Sequence, residues 1–371
     1  MKILIVMGGF FPGKKYGGPP VSIDNFCSLM KEDECFIVTH NHDLFDQEKF
    51  QSVHDGWNDR GNCKVLYLSD DEYIKSSFEK TMIEIKPDIL YLQGLFQPCV
   101  FPCLQLAKKH SIKVVLAPRG ELCSGALNIK KWKKIPYIEL LRLLGLVENI
   151  HWQSTSDEET AAIKQLMNAK SEKVHHLDNI PSIPRIDYSR RVKISGEGRF
   201  VFLSRIHPKK NLLSAINYFS KVDKKAYFDI YGPIEDTEYW KQCQEAIKFL
   251  PNNIKVCYKG LIGHDQVHAV FSQYDAFLFP TLSENYGHVI AESLVVGTPV
   301  IISDQTPWTD INALGFGKAI SLNEPETFTE EINKIISMGK NEMEIASDAV
   351  KKYAMLKMDI NSLKNEYMTV F

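Results

Sequence analysis

The sequence predicts an α/β protein built from two doubly wound, parallel-sheet domains that face each other across a cleft. Three observations carry this expectation. The chain has 371 residues, about twice an ordinary domain. Short apolar runs alternate with longer amphipathic stretches, which is the mark of repeated βαβ units. The alternation stops in a Pro- and charge-rich stretch, Pro181 to Gly198, and then restarts. The first set of runs is Lys2 to Met7, Cys35 to Thr39, Lys64 to Leu68, Ile89 to Leu92, Lys113 to Ala117 and Ile150 to Gln153. The second is Arg199 to Leu203, Tyr227 to Tyr231, Lys255 to Tyr258, Ala276 to Phe279 and Pro299 to Ser303. Two Rossmann-like domains follow, 1–180 and 199–356, with 181–198 as a linker and hinge. A closing helix at about 357–371 is placed to pack back on the first domain. In such sheets ligands sit beyond the carboxyl ends of the strands, so the loops of two facing domains would share one crevice.

Composition narrows the function classes. Lys plus Arg number 44 against 46 for Asp plus Glu, a balance that argues against nucleic acid as the partner. An apolar content of 44% with 24% charged residues excludes a largely disordered chain. The first apolar run is short and ends in Gly8 and Gly9, as a buried strand would and a secretion signal would not. No window offers the roughly twenty apolar residues of a spanning helix. The eight cysteines contain no C-x-x-C pair, so reduced thiols of a cytoplasmic protein are expected rather than a zinc or disulfide framework.

The most informative segment runs from Pro280 to Ser303. A strand ends near Pro280, a helix runs from about Gly287 to Val296, Gly297 stands where glycine ends helices, and another strand follows. The helix start offers the N–H groups of Gly287, His288 and Val289 to an anion such as a phosphate. Glu284 precedes this start and Glu292 lies eight residues later. Two carboxylates flanking a diphosphate site are acceptors suited to hydroxyls on either side of it. An N-terminal Glu set against the helix dipole, plus an ordinary helix Glu, would give the same spacing.

Glu284-x7-Glu292 followed by Gly297-Thr298-Pro299-Val300 resembles the donor-site signature of the retaining glycosyltransferases of family 4, which have the GT-B fold. Arg205-Ile-His-Pro-Lys-Lys210, after the first strand of the second domain, is similar to the family's other donor motif. The resemblance covers nearly the whole chain and is strongest from Phe200 to Asp304. It implies a diphosphate held by Arg205, Lys210 and the amides of Gly287, His288 and Val289. It further implies a ribose on Glu292, a transferred sugar on Glu284, and donor contacts through Asn285 and Tyr286. By the same resemblance, backbone from Gly260 through Leu261 to Gly263 would line the nucleobase pocket, Gly232 would be a further donor contact, and Gly17 and Gly18 would lie under the donor phosphates; Gly232 and Gly260 are otherwise plain turn residues. The residue types agree independently: Arg205 presents a rigid fork of donors and Lys210 a mobile point charge, and both suit a departing diphosphate. A surface salt bridge is the plain alternative.

In the first domain, Pro118-Arg-Gly-Glu-Leu122 follows a buried strand and resembles a segment found in a polysaccharide-assembly subset of the family. Many members carry a His where Arg119 stands. The resemblance makes Arg119 a catalytic or acceptor-facing residue and Glu121 an acceptor contact; an Arg119–Glu121 pair bracing the loop is the alternative. Lys130, Lys131, Lys133 and Lys134 surround Trp132 beside a Leu-rich helix. They suit anionic headgroups or the diphosphate of a polyprenyl-linked acceptor, or form a solvated edge with Leu140, Leu141, Leu143 and Leu144 in the core. His40 and His42 end the second strand without a carboxylate or Cys at a recognisable metal spacing, and Asp-x-Asp is absent from the sequence. No metal or cofactor is therefore expected.

These features together predict a metal-independent, retaining hexosyltransferase acting from a UDP- or GDP-sugar on a glycan hydroxyl in surface polysaccharide assembly. Its expected setting is the cytoplasm or the cytoplasmic face of the inner membrane, and closure of the two domains would exclude water. A nucleotide-sugar epimerase or hydrolase of the same fold, or a non-catalytic nucleotide-sugar-binding subunit, are the alternatives.

Overall fold

The computed structural model describes residues 1–371 apart from Gly17, Arg185 and Asn285. The chain divides into two units: 1–180 with 360–371, and 181–359.

The first unit holds β1 (Lys2–Val6), β2 (Glu34–His40), β3 (Trp57–Asp59), β4 (Lys64–Leu68), β5 (Ile89–Gln93), β6 (Lys113–Ala117), β7 (Ile150–Ser154) and β8 (Val174–His176). Their order across the sheet is β3-β4-β2-β1-β5-β6-β7-β8. All neighbours are parallel except β3 on β4. Central strands such as β1 and β5 are continuous apolar runs because helices cover both faces of a parallel sheet. Ile3, Leu4, Ile5 and Val6 are accordingly buried. Between β7 and β8, Ser156 caps the helix Asp157–Met167 by accepting from Glu159 N, and three acidic residues fill that helix's first turn, the favourable end of the dipole.

The second unit holds β9 (Glu197–Leu203), β10 (Lys225–Tyr231), β11 (Ile254–Gly260), β12 (Ala276–Phe279), β13 (Val300–Ser303) and β14 (Lys318–Ile320). The order is β11-β10-β9-β12-β13-β14, all parallel. In both sheets the winding reverses beside the first strand: between β1 and β5 in one, and between β9 and β12 in the other. Such reversals splay the following loops apart and create the ligand crevice of doubly wound sheets.

The stretch 181–198, expected as a linker, is bolted to the second unit. Asp275, almost fully buried, draws Arg191 and Lys193 to 3.2 and 3.3 Å and accepts from Arg199 N at 2.8 Å. Arg190 donates to the carbonyls of Gly297 and Tyr274. A buried carboxylate needs such partners, and they lie far away in sequence. The closing helix, Ile360–Val370, belongs to the first unit. Tyr367 Oη donates to Asp178 O at 2.9 Å and accepts from Gln153 Nε2 at 2.8 Å, and Phe371 packs on Phe26 and Tyr91. All eight cysteines are free, six of them buried. Among the described residues no helix is long and apolar enough to cross a membrane.

Candidate functional site

The winding reversal of the second sheet gathers most of the chemistry. Arg205 and Lys210 lie on the loop after β9, and Glu284 lies on the loop after β12. The two loops are tied by Leu282 N donating to Lys209 O at 2.9 Å and Asn211 Nδ2 donating to Pro280 O at 2.9 Å. Lys210 donates to the Glu284 carboxylate. The two side chains are only 12% and 16% exposed, and the ammonium sits 5.5 Å from the centre of the Phe279 ring. Burial pulls the Lys210 pKa below the usual lysine value, and the opposing pull of Glu284 does not restore it. The ammonium is thus under-solvated, and a second anion would stabilise it strongly. Arg205 is exposed and pairs at 2.7 Å with Glu235, a contact that a stronger anion can displace at small cost.

Beside this pair, Gly287 caps the helix His288–Val295 at φ 78°, a left-handed conformation that favours glycine. A Cβ there would lie 2.9 Å from Ile290. The first intrahelical acceptor is Gly287 O, which takes Ala291 N, so the N–H groups of Gly287, His288 and Val289 have no acceptor within the helix. Tyr286 is held from behind by Trp308 Nε1, which donates to its carbonyl at 2.6 Å, and its ring lies 4.8 Å from that of His288. Asn285 and Gly17 lie outside the described residues; Gly18 opens the helix Gly18–Leu29.

Glu292 is buried inside the same helix and pairs with His264 Nε2 at 2.9 Å. His264 lies on the loop after β11, directly following Gly260, Leu261 and Gly263. Sequence reasoning passed over it because no motif connects it to a residue 28 positions away. Gly232 is fixed by packing: a Cβ would lie 1.9 Å from Ser204 O, and its N–H donates to Gly260 O at 3.0 Å. The loop after β9, the loop after β10 and the end of β11 therefore approach one another closely through their backbones. Leu261 is exposed.

In the first unit, Arg119 and Glu121 do not pair with each other. Arg119, at φ 57°, directs its guanidinium to Gln93 Oε1, Asn179 Oδ1 and Tyr91 Oη. Glu121 accepts from the N–H groups of Leu95 and Phe96. Glu121 thus ties the loop after β6 to the loop after β5, which lies at that sheet's own winding reversal, and Arg119 ties it to β5 and to Asn179. The lysines open the helix Lys131–Leu143. Lys130, Lys131 and Lys133 are exposed, whereas Lys134 donates to Ala126 O at 2.7 Å and covers the Phe96 ring. Of the four leucines, Leu141 alone is in the core; Leu140, Leu143 and Leu144 are exposed, as are Ile129 and Trp132.

Residues 185–352 match the family model Glycosyl transferases group 1. A glycosyl transferases group 1 domain is present in this chain. Arg205, Lys210, Gly232, Gly260, Leu261, Glu284, Gly287 and Glu292 lie within the matched residues, and Gly18 lies outside them. Over 307 residues the chain is 23% identical to an uncharacterized 41.2 kDa protein in the cps region of Klebsiella pneumoniae, covering 79% of this chain and 80% of that one. Over 146 residues it is 27% identical to the O-antigen chain mannosyltransferase RfbU of Salmonella typhimurium, covering 38% and 39%. Among solved structures, Anabaena HepE in complex with UDP and glucose matches with a TM-score of 0.73 at 15% identity, covering 100% of this chain and 98% of that one. Sucrose-phosphate synthase from Thermosynechococcus elongatus matches with a TM-score of 0.74 at 11% identity, over the same shares. These likenesses establish the fold as GT-B, with two parallel-sheet Rossmann-like domains.

Proposed function

We propose that this protein is a retaining glycosyltransferase of family 4 that moves a hexose from a UDP- or GDP-sugar to a hydroxyl of a glycan in surface polysaccharide assembly. The observation that carries the reading is the buried Lys210–Glu284 pair at the winding reversal of the second sheet, beside the helix start at Gly287. The group 1 domain and the capsule-region and O-antigen relatives support it.

In this reading the diphosphate takes Lys210 away from Glu284, satisfies the under-solvated ammonium, and completes its hydrogen bonds on Arg205 and the amides at Gly287 and His288. Glu284, released, accepts from hydroxyls of the transferred hexose. Glu292, oriented by His264, accepts from the ribose, and backbone near Gly260 and Leu261 meets the base. The acceptor oxygen forms its bond to the anomeric carbon on the face from which the diphosphate leaves. A leaving diphosphate oxygen takes the acceptor proton, so configuration is retained without a protein nucleophile. The cationic residues stabilise the charge developing on the leaving group. Arg119 and Glu121 shape the first domain's loops for the acceptor. The exposed Lys130, Lys131, Lys133 and Trp132, with Ile129 and Leu143, rest on an anionic bilayer that carries a polyprenyl-diphosphate-linked acceptor.

A thermal-shift panel of UDP, GDP, ADP and their sugar conjugates tests the donor reading, because a ligand that binds only the folded state raises its melting temperature. One nucleotide family should stabilise the wild type and lose its effect in Lys210→Ala. Stabilisation by none of them would overturn the proposal.

A further inference from the structure

The ends of β2 and β4 bring together three groups that the transfer reaction leaves unused. His40 is the last residue of β2, His42 lies two residues beyond it, and Asp70 lies two residues past the end of β4. In the parallel register His40 stands opposite Leu68, which is why residues so far apart in sequence converge. Asp70 Oδ1 is 3.0 Å from His40 Nδ1 and 3.0 Å from His42 Nε2. All three atoms lie within 4.8 Å of one another. The His40 and His42 side chains are 19% and 14% exposed, while Asp70 is 70% exposed and leaves one side of the cluster open.

The hydrogen positions make the cluster short of positive charge. His42 Nδ1 is 2.9 Å from Asp43 O, and a carbonyl oxygen only accepts, so Nδ1 carries the hydrogen. In the neutral ring Nε2 then turns a lone pair toward Asp70 Oδ1, which is also an acceptor. Two lone pairs at that distance repel unless a positive charge stands between them. His40 Nδ1, equally close to the same oxygen, is buried without a hydrogen-bond partner among the described residues. Two imidazole nitrogens and one carboxylate oxygen therefore lie within one ion's reach of one another.

We propose that His40, His42 and Asp70 bind a divalent transition-metal ion of the zinc type. Two imidazoles and a carboxylate are a ligand set suited to that ion, and three protein ligands leave a fourth position, here on the open side of Asp70. The bond from His42 Nδ1 to Asp43 O is the outer contact that fixes a metal-binding imidazole in the required tautomer. The Asp43 carboxylate in turn accepts from Lys14 N at 2.8 Å and Lys15 N at 3.1 Å, and Tyr16 Oη reaches His42 O at 3.5 Å. The ion thus fastens the ends of β2 and β4 together and, through Asp43, steadies the glycine-rich loop after β1. The competing solution is a protonated His42 with no metal.

The test is calorimetric titration of the metal-stripped, full-length protein with zinc chloride at neutral pH, with a phosphine reductant keeping the thiols reduced. Amide exchange is followed over residues 13–16. A single site per chain, a raised melting temperature and slower exchange in that loop are expected. Affinity should fall roughly tenfold or more in His42→Ala and in Asp70→Asn, and should survive Cys257→Ser, which removes the one exposed thiol. Asp70 is largely exposed, so Asp70→Asn reports on the site without threatening the fold. The proposal is overturned if the wild type takes up no zinc at micromolar concentration, if both ligand variants bind as the wild type does, or if Cys257→Ser abolishes binding.

Discussion

Replacing Lys210 by Met removes a charge while keeping most of the side chain's length, and the structure sets the size of the effect. The partner carboxylate of Glu284 is only 16% exposed, so the variant leaves it without its cation in a poorly hydrated place. That costs about 1–3 kcal/mol, or roughly 2–12 °C in melting temperature for a unit of this size. Glu284→Gln on the wild type incurs its own cost. The double variant should be less destabilised than the sum of the singles, by about 1 kcal/mol or more, because the groups touch. The stability loss alone would fit a structural brace, so the deciding readout is calorimetric binding of UDP and GDP to all four proteins. Losing a charge-assisted contact to a diphosphate costs about 1.5–3 kcal/mol, which is roughly a ten- to hundredfold rise in Kd. The pH dependence has a defined sign. Burial holds the folded-state pKa of Lys210 below its unfolded value, so the penalty on the charged form is present in full at neutral pH and is relieved as pH rises toward the ordinary lysine value. A bound diphosphate raises that pKa again, so binding takes up a proton and affinity declines as pH climbs through the lowered pKa. A Lys210→Met protein that melts lower yet binds its nucleotide as tightly as the wild type would refute the donor-site reasoning.

Arg119→Ala should destabilise the first unit by about 1–3 kcal/mol in urea unfolding, because Gln93, Asn179 and Tyr91 lose a shared donor; unchanged stability would show that the guanidinium does not brace the loop. Gly232→Ala should cost about 2–4 kcal/mol, since its Cβ would overlap Ser204 O at φ 134°, while Gly260→Ala, at φ 79° in open space, should cost about 1–2 kcal/mol. Equal melting temperatures for the two glycine variants would contradict the close approach of the loops after β9 and β10. His268 is buried, and that burial lowers its pKa; its contribution is present above the unfolded value of about 6.5 and is lost as pH falls toward the folded one. His268→Gln should therefore flatten the decline of stability on that acid limb, and an identical slope in the variant would assign the decline elsewhere.

The long buried strands were legible because a parallel strand covered on both faces must be apolar throughout, and β4, β6 and β12 run as their composition predicts. The three-residue strands β3, β8 and β14 were not, since each lies at a sheet edge or on its outermost pair and is too short to show a period. The same contrast governs the site. Arg205, Lys210, Glu284 and Gly287 are readable because each follows closely on the end of a strand that flanks the winding reversal, so order along the chain already implies nearness in space. Glu292 on the helix after β12 meets His264 on the loop after β11, and Asp70 meets the two histidines at the ends of paired strands, and neither meeting is one that a single sequence encodes as a motif. Asp275 shows what this hides: a charge-rich stretch looks like a solvated linker until the buried carboxylate that collects its cations is found 84 residues from Arg191. Charged residues near a strand end are therefore the place where sequence reasoning most readily mistakes a brace for a site. The fork of Arg119 is satisfied by Gln93, Asn179 and Tyr91 inside its own unit, and Lys210 differs from it in one physical respect. Its ion-pair partner is a carboxylate on the other side of the winding reversal, and burial still holds its pKa below the usual lysine value after pairing. A cation held in that condition is one whose energy a diphosphate can improve, and that makes Lys210 rather than Arg119 the residue on which the donor reading depends.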